Sequence, residues 1–81
     1  MEKTVRIFQK IIGIICENNH ILKDKMALNS NLKDDLNLGA DDIHNICAEV
    51  QQYFNIKISE EEAKNLKTIQ DLVFLIEVKI A

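Results

Sequence analysis

The 81-residue chain has no tryptophan and only four other aromatic residues, so long aliphatic side chains must supply its core. Its two cysteines are too few for the disulfide framework that holds small secreted domains together. Cys16 and Cys47 both fall on apolar helical faces and read as buried, reduced thiols, which fits a cytoplasmic setting. Long apolar runs are also missing. The longest, Ile11-Ile12-Gly13-Ile14-Ile15-Cys16, falls far short of the ~20 residues that span a bilayer, so no membrane role is expected. Lys3, Arg6 and Lys10 precede that run, but Glu17 follows at once and no small-residue cleavage site appears. A signal peptide is therefore not expected. Nor is there an excess of base. Residues 30–81 carry five lysines against ten carboxylates, within a net charge of −3. Nucleic-acid binding, which needs a basic stripe, is disfavoured. An acidic surface of this kind suits a protein partner with a basic one.

The apolar share of 47% is ordinary for a globular chain and sufficient for one modest core, so residues 1–81 read as a single domain. A first helix is expected over residues 3–18, where Ile7, Ile11, Ile14 and Ile15 make one stripe widened by Val5, Phe8 and Ile12. So many isoleucines lower intrinsic helix propensity, and packing must hold this segment. Glu17-Asn18-Asn19-His20 ends it, with asparagine suited to the left-handed conformation at a helix exit. From Ile21 to Ala40 the periodicity fades. Met26, Leu28, Leu32, Leu36 and Leu38 recur without a helical or strand pattern and read as pins fixing a long loop to the core, with a short helical turn near residues 23–27.

A second helix runs from about Asp41 to Tyr53, its apolar stripe made by Ile43, Ile46, Cys47 and Val50 and continued by Phe54. Asp41 and Asp42 sit in its first turn, where unpaired N–H groups favour carboxylates. Residues 54–58 alternate apolar and polar but have no partner strand, so an extended linker is expected. Ser59-Glu60-Glu61-Glu62 is a capping box that opens a short third helix through about Leu66. Thr68-Ile69-Gln70-Asp71 repeats that logic and opens a fourth helix to about Lys79, with Ile69, Leu72, Val73 and Ile76 facing inward. The fold class is all-α, a small antiparallel four-helix bundle.

The stretch Asp34-Asp35-Leu36-Asn37-Leu38-Gly39-Ala40-Asp41-Asp42-Ile43 resembles the prosthetic-group site of the acyl carrier protein family. There an Asp-Leu pair, a short loop and an Asp-Ser-Leu motif lead into the second helix, and the serine carries 4′-phosphopantetheine. The resemblance covers essentially the whole chain and implies the family's topology, with a long first loop and a short third helix lying across the others. Two registers fit. Matching Asp35-Leu36 and Phe54–Ile58 without a gap lays Gly39-Ala40-Asp41 over Asp-Ser-Leu. Matching the local Gly-Ala-Asp string instead lays Asp41-Asp42-Ile43 there, after a two-residue shift. The ungapped register is preferred because it also aligns the apolar stripes of all the helices.

In both registers the hydroxyl is missing. The resemblance thus implies a degenerate attachment site at Gly39, Ala40, Asp41 and Asp42, and no phosphopantetheine is expected. It also implies a partner surface of Leu38, Asp41, Asp42, Asn45 and Glu49, facing an acyl-processing enzyme with a basic surface. That surface is less acidic than is usual in the family, since Asn45, Gln51 and Gln52 stand where glutamate is frequent. The leading expectation is a non-catalytic, monomeric protein-binding module. The alternatives are a working acyl or aminoacyl carrier of fatty-acid or secondary-metabolite synthesis whose serine was replaced at Ala40 or Asp42, and an unrelated helical partner protein.

Other candidate chemistry is weak. Cys16 and His20 have the spacing of two metal ligands on a helix, but two ligands do not make a zinc site. His44 is expected to pair with Asp41 one turn earlier. A His44–Cys47 nucleophilic pair fails because Cys47 lies on the apolar stripe, which raises its pKa. Glu60, Glu61 and Glu62 read as a solvated first helical turn. Asp34, Asp35, Asp41 and Asp42 lie close enough in sequence for a weak divalent site, but their spacing matches no EF-hand loop.

Overall fold

The computed structural model describes residues 2–81. It contains helices α1 (Glu2–Asn19), α2 (Ala40–Phe54), α3 (Glu60–Lys64) and α4 (Ile69–Ile80), with a 3-10 turn at Lys23–Lys25 inside the long first loop. Among the described residues the only β-type pairing is one isolated bridge between Asn31 and Thr68, so the all-α class holds. No described helix is long and apolar enough to cross a membrane.

Helix α1 is the hub, packing on both α2 and α4. Its stripe of Ile7, Ile11, Ile14 and Ile15 is buried, and Ile11 and Ile15 are wholly so. Complete burial of an isoleucine is worth ~1.5–3 kcal/mol, which outweighs the few tenths that its branched side chain costs within a helix. Polar contacts fix the antiparallel order. Thr4 near the start of α1 donates to Glu77 near the end of α4. The Lys10 ammonium lies 4.1 Å from the ring centre of Tyr53, and Asn18 donates to Glu49 further back along α2.

The exit from α1 differs from the expected one. His20, not an asparagine, takes the left-handed conformation, with φ of 57°. Its N–H closes the last turn onto the Cys16 carbonyl at 2.9 Å. Asn18 and Asn19 remain helical and turn their amides back onto the carbonyls of Ile14 and Ile15, at 2.8 and 3.4 Å. An asparagine that donates one turn back is already occupied, so the turn passes to the next residue.

The long loop is pinned as the aliphatic spacing predicts: Met26, Leu32, Leu36 and Leu38 are buried and Leu28 packs against them. Backbone bonds add a seam that side-chain pattern does not reveal. Leu32 N–H donates to the Lys67 carbonyl at 2.8 Å, while Ile69 and Gln70 donate to the carbonyls of Ser30 and Leu28 at 3.1 and 2.8 Å. The loop is thereby stitched to the turn between α3 and α4. Asn31 organises the next turn, its side-chain oxygen accepting from Lys33 and Asp34 N–H at 3.0 and 2.8 Å. Asn37, at φ of 56°, stands exposed between the buried Leu36 and Leu38.

Helix α2 ends on Asn55 in the left-handed region. Gln51 stays with it, its side-chain oxygen accepting from Ile58 N–H at 2.9 Å and drawing the linker alongside α2. Both expected capping boxes form. Ser59 Oγ accepts from Glu62 N–H at 3.1 Å while Glu62 accepts from Ser59 N–H at 2.9 Å, and Thr68 and Asp71 do the same at 3.2 and 3.1 Å. Helix α3 stops at Lys64, two residues short of the expected Leu66, which is buried from the turn that follows.

Candidate functional site

The start of α2 is built on half a capping box. Gly39 is the N-cap, extended at φ −85° and ψ 177°, and it has no side chain to give. Asp42 supplies the other half, its Oδ2 accepting from Gly39 N–H at 2.9 Å. That carboxylate is therefore turned back onto the loop end. Ala40 is the first helical residue and Asp41 the second; both side chains are exposed.

The other expected partner residues divide. Asn45 is exposed one turn further on. Glu49 is exposed but already accepts the Asn18 amide, so α1 holds it. Leu38 does not belong to the surface. It is 4% exposed, packs in the core, and its N–H donates to the Leu32 carbonyl at 3.0 Å. It serves as the loop pin that its spacing predicts, directly after the left-handed Asn37.

One further expectation, the His44–Asp41 pair, is corrected. His44 and Asp41 form no ion pair; among the described residues the ion pairs are Arg6–Glu2 at 2.8 Å and Lys79–Glu62 at 3.0 Å. Asp34, Asp35, Asp41 and Asp42 do not converge either. Asp35 is spent on the Asn31 N–H at 2.7 Å and Asp42 on Gly39, and no three acidic, thiol or imidazole groups among the described residues gather around one point.

A cleft of about 480 Å³ opens beside Ala40 and runs between α2 and α3. Ile43, Cys47, Ile58 and Ala63 give it apolar walls, and Lys33 and Lys64 stand with His44 among its polar residues. It exists because α3 is a five-residue helix with no buried residue and fills little of the space beside α2. Beyond the shortness of α3, nothing in the residue pattern points to the cleft. Within it, burial pushes the Cys47 thiol up from its ordinary value, so the protonated form is favoured and nucleophilic chemistry is not.

The hydroxyls are accounted for elsewhere. Ser30 is buried and accepts from Ala27 N–H at 2.9 Å; Ser59 and Thr68 cap α3 and α4; Thr4 is bonded to Glu77. Tyr53 stands near the opposite end of α2 from Ala40. No hydroxyl side chain stands within the first turn of α2.

No protein-family model matches the chain. Individual relatives do. It is 31% identical over 72 residues to the acyl carrier protein of Coprothermobacter proteolyticus, covering 89% of this chain and 88% of that one. It is 34% identical over 70 residues to the acyl carrier protein of Onion yellows phytoplasma, covering 86% and 92% of the two chains. In structure it matches the apo doublet acyl carrier protein from prodigiosin biosynthesis with a TM-score of 0.83 at 16% identity, over 98% of this chain and 38% of that one. With the bundle, the long pinned loop and these relatives in agreement, the chain belongs to the acyl carrier protein family.

Proposed function

We propose that this chain is an acyl-carrier-fold domain that carries no 4′-phosphopantetheine and is not an enzyme. It acts by contact, as a cytoplasmic, monomeric protein-binding module linked to acyl-chain or related carrier metabolism. The observation that carries this reading is the exposed methyl of Ala40 at the first position of α2. In the ungapped register that is the attachment position, and a methyl group cannot attack coenzyme A. Asp42, the attachment position in the shifted register, offers only a carboxylate already bonded to Gly39. The residues present therefore do not fit the prosthetic group. The contact surface is Asp41, Asp42 and Asn45, with Glu49 held at its edge by Asn18. A partner with a basic surface is steered to it by charge, more weakly than to a fully acidic second helix.

The test is direct. The purified chain is incubated with coenzyme A and a phosphopantetheinyl transferase and its intact mass is read. No change is expected, and a gain equal to the arm overturns the proposal. A second reading, a working carrier whose serine was replaced, draws support from the cleft that remains open beside Ala40. Ala40→Ser and Asp42→Ser, treated in the same way, test which position is the site. The ungapped register expects the gain in Ala40→Ser alone, and a gain only in Asp42→Ser moves the site two residues along.

A further inference from the structure

A second concavity, of about 620 Å³, lies at the opposite end of α2 from Ala40. The two ends of this 15-residue helix are ~20 Å apart at 1.5 Å per residue, so this groove is separate from the site above. Ile7, Tyr53, Phe54 and Ile80, from three different helices, give it an apolar lining. Its charges come from the start of α1: three cations, Lys3, Arg6 and Lys10, against the single carboxylate of Glu2. In a chain of net charge −3 this is a local reversal of sign.

These groups are largely available. The Arg6–Glu2 pair is 76% and 80% exposed on its two side chains, so water screens it and Arg6 can exchange it for another anion. Lys3 makes no ion pair among the described residues. Tyr53 is 61% exposed yet held, with Lys10 over its ring and Phe54 packed edge-on at 4.9 Å between ring centres. A rigid, exposed aromatic ring beside a concave apolar wall is the kind of residue that anchors protein contacts.

We propose that this groove binds an acidic segment of a partner protein. The segment's carboxylates meet Lys3 and Arg6, and one aromatic or branched aliphatic side chain lies against Tyr53 and Phe54. Charge complementarity selects this occupant. Three cations on an acidic chain are too few for nucleic acid, whose binding grows with the number of phosphates neutralised. A concave wall with one exposed ring offers little to a lipid surface. The proposal does not depend on the state of residue 40, which lies at the other end of α2.

The full chain, labelled with 15N, is titrated with an N-acetylated, C-amidated nonapeptide of eight glutamates and aspartates around a central tryptophan, and amide shifts are followed. The expected result is fast-exchange shifts confined to the first ten residues of α1, Tyr53, Phe54 and Ile80. They weaken at least fivefold when the acids are replaced by amides, when tryptophan is replaced by alanine, or in 0.5 M NaCl. In K3E/R6E, whose melting curve checks its folding, they disappear. Asp41→Asn leaves them unchanged. Absence of shifts at 2 mM peptide overturns the proposal, as does persistence in K3E/R6E or a map centred on the α2–α3 cleft. So does tighter binding to phosphatidylglycerol vesicles or to a single-stranded oligonucleotide than to the peptide. Concentration-dependent shifts of the same residues without peptide overturn it in favour of head-to-tail contact between copies of this chain.

Discussion

Helices α3 and α4 begin with the same device and meet different fates. Each is opened by a hydroxyl N-cap with a carboxylate at the third position, Ser59 with Glu62 and Thr68 with Asp71, and both boxes close. Yet α3 runs five residues with none buried, while α4 runs twelve and buries Ile69, Leu72, Val73 and Ile76. Capping decides where a helix starts; it does not decide how far the helix continues or how firmly it sits. That is left to the apolar stripe, and Glu60–Lys64 offers only the half-buried Ala63 as an inward residue. The cleft beside α2 follows from the same difference.

The sharpest way to break this comparison is to place a charge on each helix. Ile76→Asp puts an unpaired carboxylate in the centre of the core and is expected to cost several kcal/mol, comparable to the ~5 kcal/mol that holds a domain of this size. Ala63→Asp on α3 is expected to leave a folded chain with a modestly lowered melting temperature. Circular dichroism melts read both, and equal losses would mean that α3 is as much part of the core as α4.

A smaller effect separates the caps by pH. The backbone N–H of Ser59, chiefly, and then Lys79 hold the Glu62 carboxyl below the usual glutamate range. Such a group contributes stability above its unfolded value of ~4.3, and the contribution is lost as pH falls through the lower folded value. Glu62→Gln is therefore expected to melt below the parent chain at pH 7, with the gap closing below about pH 4. A gap that does not narrow as pH falls below about 4 would assign the effect to packing instead of charge.

The smallest effect concerns the start of α2, where the cap lacks a hydroxyl. Gly39 is extended, and a Cβ there would meet nothing nearer than Asp42 Oδ2, at 3.7 Å. Gly39→Ser should complete the half box at α2 and raise stability by a few tenths of a kcal/mol, about what serine gains over glycine as an N-cap. Denaturant midpoints measured against Gly39→Ala, which fills the space but cannot accept a bond, isolate the hydroxyl.

Much of this fold was legible because its signals are local. The α1 and α4 stripes, both hydroxyl caps and the five aliphatic pins each involve residues within a few positions of one another. What escaped depends on groups far apart in sequence or on one backbone angle. Leu38 carries two expectations, a loop pin by spacing and a partner-surface residue by resemblance, and its burial beside the left-handed Asn37 keeps only the first. Glu49 belongs half to α1 through Asn18, thirty-one residues earlier. His44 and Asp41 have the spacing of a pair but no contact, as exposed i, i+3 charges gain little by meeting. At the candidate site the sequence shows which atoms are missing; where the remaining carboxylates point needed the structure.

The seam between the first loop and the turn before α4 has a consequence for the order of assembly. Leu32 takes its backbone partner from Lys67, thirty-five residues downstream, and Ser30 and Leu28 take theirs from Ile69 and Gln70. During synthesis the loop is made before those residues exist. The loop's own turn at Asn31 and its aliphatic pins can form without α4, but the seam that ties residues 28–32 down forms only once α4 has begun. The start of α2 thus owes part of its placement to residues some thirty positions further along the chain.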